Sequence, residues 1–60
     1  MGREIIFEFL PFGNSVKVTA FDVETKIEIS TITPRNITKE QQEQAAINKL
    51  KYVMGKKGLN

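Results

Sequence analysis

The side chains able to do chemistry in this sixty-residue chain are few, and those missing narrow the options most. There is no histidine and no cysteine, so the common general base and the thiol nucleophile are both absent. A zinc site would lack its preferred nitrogen and sulfur ligands. Asp22 is the single aspartate. It opens the stretch Asp22-Val23-Glu24-Thr25, where a short acceptor that reaches its own downstream backbone is explained as a turn former. Glu40 and Glu43 stand where a helix begins, and acidic groups there complement the positive end of the helix dipole. These residues point to no enzyme, no catalytic residue, no metal and no cofactor.

The basic residues are the remaining chemical signal. Net charge is +2, but residues 1–43 hold five basic side chains against seven acidic ones, whereas residues 44–60 hold Lys49, Lys51, Lys56 and Lys57 and no acid. An acid-free cationic end can meet phosphates, so Lys49, Lys51, Lys56 and Lys57 are candidate phosphate contacts and a nucleic-acid-binding module is the alternative reading. Lysines at a helix C-terminus are also favoured by the dipole alone. Gly55-Lys56-Lys57-Gly58 lacks P-loop spacing and follows a helix rather than a strand, so it reads as a helix stop. Asn36-Ile37-Thr38 matches a glycosylation sequon, yet Asn and Thr before a helix are expected as caps.

The elements that carry these residues follow from hydrophobic periodicity. Glu4–Leu10 alternates with Ile5, Phe7 and Phe9 on one face, and Ser15–Phe21 alternates with Val16, Val18 and Ala20, as half-buried strands do. Pro11-Phe12-Gly13-Asn14 supplies the residues of a reversal. With those four as the loop, Phe9 faces Val16, Phe7 faces Val18, Ile5 faces Ala20 and Glu8 faces Lys17. Lys26–Ser30 resumes the alternation. A four-residue loop at 22–25 sets Ala20 against Ile27 and Val18 against Ile29, and Thr33-Pro34 ends the strand because proline cannot donate to a ladder.

Thr38-Lys39-Glu40-Gln41 has the form of a capping box. Beyond it Ala46, Ile47, Leu50, Val53 and Met54 fall within an arc of about 100°. The pattern predicts an α+β fold of one domain, residues 1–60, arranged βββα: a three-stranded antiparallel β-meander with strands near 3–10, 15–21 and 26–32, and one C-terminal amphipathic helix near 38–55 packed on one face. Part of this arrangement resembles the double-stranded RNA-binding domain, but the chain departs from it in having no N-terminal helix and no arginine in its basic segment.

A helix laid over that face leaves Ile6, Leu10, Phe21 and Ile32 on the opposite face, with Phe12 in the first loop and Tyr52 beside the helix's core arc. Clustered exposed apolar groups mark contacts, so Ile6, Leu10, Phe12, Phe21, Ile32 and Tyr52 are candidate protein-contact residues. A chain of this size buries only about 60% of its unfolded surface. Without disulfide or metal, self-association is the natural remedy. The expected partner is a second copy, as a homodimer formed by packing of the outer faces, which accounts for their apolar positions, in preference to pairing of the sheet edges.

The run Glu8-Phe9-Leu10-Pro11-Phe12-Gly13-Asn14-Ser15-Val16-Lys17-Val18-Thr19-Ala20-Phe21-Asp22, with Asn48-Lys49-Leu50-Lys51-Tyr52-Val53 in the helix, resembles a family of short bacterial proteins of unknown function. That resemblance spans most of the chain and implies no activity, cofactor or site residue. It also implies glycine after the threonine of the second turn, where this chain has Lys26. The lack of cysteine fits a reducing, cytoplasmic compartment. Glu4 and Glu8 interrupt the apolar run a signal peptide requires, Ile6 stands where a myristoylation signal needs Ser or Thr, and no apolar run approaches the ~18 residues that span a bilayer, so no membrane association is expected.

Overall fold

The period-two stretches become three strands, β1 (Ile5–Phe12), β2 (Ser15–Asp22) and β3 (Ile27–Pro34), and the capped segment becomes one helix, α1 (Lys39–Lys56). The computed structural model describes residues 4–56. The strands form an antiparallel sheet in the order β1-β2-β3, with α1 on one face, which is the expected βββα arrangement. The backbone of α1 lies against β3 and β2. The short link 35–38 leaves the helix little freedom to travel farther across the sheet.

The core gathers where all the layers overlap. Val16, Val18 and Ala20 of β2, Ile29 of β3, and Ala46, Leu50 and Met54 of α1 are buried, while Ile5, Phe7, Phe9, Ile27 and Val53 pack against them half-covered. The helix stripe begins one turn earlier than the apolar pattern indicates, at Gln42, which is 7% exposed and donates from Nε2 to the carbonyl of Pro34 at 3.4 Å. The capping box forms as read: Gln41 N–H donates to Thr38 Oγ1 and Thr38 N–H to Gln41 Oε1, each at 3.0 Å. Gly55 lies inside the helix; Lys57 and Gly58 are outside the described residues.

Both hairpin registers differ from the expectation by two residues. Phe12 faces Ser15, so Gly13-Asn14 alone is the first loop, and Phe9 meets Val18, Phe7 meets Ala20 and Ile5 meets Asp22. Glu8 accordingly faces Thr19, and Lys17 faces Leu10. Gly13 has φ 58° and no other residue of that turn has a positive φ, the signature of a two-residue type II′ turn with glycine first. Pro11 does not have to leave the strand. Its missing N–H falls on the side of β1 that faces no neighbour, so no ladder bond is lost.

The second loop is 23–26, with Asp22 facing Ile27 and Ala20 facing Ile29. Lys26 takes the left-handed conformation, φ 65°, at the place where the resemblance implies glycine. Asp22 is wholly buried and organises this turn. Its Oδ1 accepts the Glu24 N–H at 3.2 Å and its Oδ2 the Thr25 hydroxyl at 2.9 Å, while Lys26 N–H donates to the Asp22 carbonyl at 2.8 Å. Proline also fails to end β3 before residue 34, because Pro34 lies on an edge strand and pairs with Ser15.

Candidate interaction surface

The side-chain face of the sheet away from α1 carries cross-strand rows set by the register: Ile6–Phe21–Glu28, Glu8–Thr19–Ser30, Leu10–Lys17–Ile32 and Phe12–Ser15–Pro34. Ile6, Leu10, Phe12 and Ile32 are 49%, 62%, 52% and 56% exposed, and Phe21 is half-buried. These apolar groups do not merge into one patch. Thr19 and Ser30 share a hydroxyl hydrogen bond at 3.0 Å and form a polar row across the sheet, and Lys17 stands between Leu10 and Ile32. Two shallow hollows border that row, of ≈ 390 Å³ between Glu8, Leu10, Lys17 and Thr19 and ≈ 280 Å³ between Ile6, Thr19, Phe21 and Glu28.

Tyr52, 64% exposed, is not beside these groups. It stands about 200° round α1 from buried Leu50, on the helix side away from the sheet. The candidate contact residues therefore fall on two opposite sides of the molecule. Of the described cations, Lys49 and Lys56, seven residues apart, share one side of α1 and Lys51 stands on another. Lys49 and Lys51 flank Leu50 on opposite sides of the helix, about 100° each. Lys49 Nζ donates to the Ser30 carbonyl at 2.6 Å, and Lys56 Nζ lies 5.4 Å from the centre of the Tyr52 ring. Lys57 is outside the described residues.

Two residues outside the apolar pattern, Arg35 and Gln42, shape this region. Arg35 closes the first turn onto β3: its N–H donates to the Asn14 carbonyl at 2.9 Å and its Nη1 to the Gly13 carbonyl at 3.0 Å. With Lys39, Gln42, Phe9, Pro11 and Val16 it lines an open groove of ≈ 330 Å³ beside the start of α1, and Lys39 Nζ sits 5.0 Å from the centre of the Phe9 ring. Gln42 was legible as the residue one turn before Ala46 in the i, i+4 series through Leu50 and Met54. Arg35 had no sequence signal, since its partners lie across the sheet.

The strongest anomaly is β1 itself. Its sequence, Ile-Ile-Phe-Glu-Phe-Leu-Pro-Phe, is apolar on both faces, yet none of its residues is buried. Near-continuous apolar runs are the composition of strands covered on both faces. Here the strand lies at an edge, under a helix placed over its neighbours. Among the described residues, no group of three or more acidic side chains gathers to hold a metal ion, every buried side-chain nitrogen and oxygen has a hydrogen-bond partner, and no helix is long and apolar enough to cross a membrane. Residues 2–57 match a family model described as Domain of unknown function (DUF6898). No curated protein and no solved structure matches the chain.

Proposed function

The chain belongs to this domain family of unknown function, and since membership brings no activity with it, we propose from the geometry that the domain is a non-enzymatic interaction module that self-associates. The observation that supports this is β1, an eight-residue strand with large apolar side chains on both faces and none of them buried. A second copy covers such a strand where the helix does not, and adds apolar contact to a core in which only seven apolar side chains are buried among the described residues. Small domains without disulfide or metal commonly gain their missing stability in this way.

Sedimentation equilibrium across micromolar concentrations tests the reading. A mass that rises from monomer to dimer with concentration supports it, and a monomer mass throughout overturns it.

A further inference from the structure

The self-association proposed above leaves open which surface joins the copies, and the two edges of the sheet are not equivalent. In the first hairpin the two-residue loop makes Phe12–Ser15 a hydrogen-bonded pair. The alternation then directs the backbone groups of even-numbered β1 residues toward β2. The Val23 N–H bond to the Glu4 carbonyl, 3.2 Å, continues that series. Ile5, Phe7, Phe9 and Pro11 therefore turn their backbone groups to the free edge. On β3 the Arg35 N–H bond to Asn14 sets the opposite phase, and Glu28, Ser30, Ile32 and Pro34 face outward.

The outer edge of β3 is obstructed. Lys49 holds the Ser30 carbonyl, Gln42 holds the Pro34 carbonyl, and Pro34 has no N–H to give. Side-chain cover and proline are the means by which edges are protected from pairing. Among the described residues, the β3 edge is guarded at Ser30 and Pro34, whereas the β1 edge at Ile5, Phe7 and Phe9 carries no such side-chain bond.

We propose that two copies join by antiparallel pairing of β1 with β1, Phe7 facing Phe7 of the second copy on a two-fold axis. This register engages all the outward residues with full hydrogen-bonding capacity: Ile5 faces Phe9 of the second copy, Phe7 faces Phe7, and each pair exchanges both of its backbone bonds. Pro11, which lacks a donor, lies beyond that run and limits it. The charge pattern selects the same alignment. With Phe7 on the axis, Glu8 faces Ile6 and Glu4 faces Leu10. Sliding by two residues in one direction sets Glu8 against Glu8, and in the other sets Glu8 against Glu4, and like charges directly opposed are destabilising.

The axis is perpendicular to the sheet, so both helices lie on one side of a sheet doubled in width. The half-buried Ile5, Phe7 and Phe9 of the two copies line the trough between them. β1 becomes a central strand with its helix-side residues more fully covered, while Ile6, Leu10 and Phe12 stay on the open outer face.

Substitution at Ile6 separates this geometry from packing of the outer faces. Ile6 is 49% exposed, so the fold tolerates change there, and in the proposed register it faces Glu8 of the second copy on both sides of the axis. Ile6→Lys creates attractive pairs and Ile6→Glu repulsive ones. Sedimentation equilibrium should show Ile6→Glu dissociating about tenfold more readily than Ile6→Lys. Amide exchange followed by NMR should show the Phe7 and Phe9 amides gaining protection with the same concentration dependence as the dimer mass. A dimer that both variants weaken equally, with those amides exchanging freely, overturns edge pairing and leaves self-association standing. A wild-type monomer at every concentration overturns both.

Discussion

At the scale of the residue, the second turn holds the one non-glycine left-handed residue among those described. Lys26 is in the left-handed region, φ 65°, where a side chain costs roughly 1–2 kcal/mol. Glycine relieves that cost but gives back part of it through a freer unfolded chain. Lys26→Gly is therefore expected to stabilise by up to about 1 kcal/mol, read as a raised urea midpoint with an unchanged slope. Asp22, wholly buried, holds the same turn through its bonds to Glu24 and Thr25. Removing the acceptor strands these donors, and Asp22→Ala should cost about 1–3 kcal/mol in the same measurement. The lone aspartate of the sequence is a structural residue, and its identity as a turn former was legible because the groups it bonds are its own chain neighbours.

At the scale of the element, the helix is the most locally determined piece. Thr38 and Gln41 cap it reciprocally, and Gln42, Ala46, Leu50 and Met54 form its buried stripe. Thr38→Ala removes one arm of the box and should lower stability by about 1 kcal/mol, with loss of helical circular dichroism at correspondingly lower urea. Strand β1 shows the opposite situation. Its alternation was plain, but alternation states only which residues share a face. It does not state whether that face is covered, and Ile5, Phe7 and Phe9 are only half-covered because α1 is placed over β2 and β3. The same offset lets Lys49 and Gln42 reach the β3 edge, a role that no spacing in the sequence indicates.

At the scale of the whole molecule, the proposed self-association links to folding, since a second copy that pairs through β1 requires the folded strand and not the unfolded chain. The thermal midpoint is expected to rise with protein concentration across the micromolar range, and a midpoint independent of concentration would count against a dimer. The sequence by itself determined the number and kind of elements, the faces of each, the capping box and the βββα order, because period-two and period-3.6 patterning and cap chemistry are local. Register was left to the tertiary structure. A slip of one residue exchanges the faces of a strand and the pattern forbids it, whereas a slip of two keeps every side chain on its own face. The alternation of Phe7, Phe9, Val16 and Val18 is thus satisfied equally by the expected and the observed pairing. The choice fell to the left-handed Gly13 in a two-residue turn, which Pro11 permits because its absent donor falls on an outward-facing position. The inequality of the two edges likewise arose only once the helix was placed, because it depends on which backbone groups the packed side chains can reach.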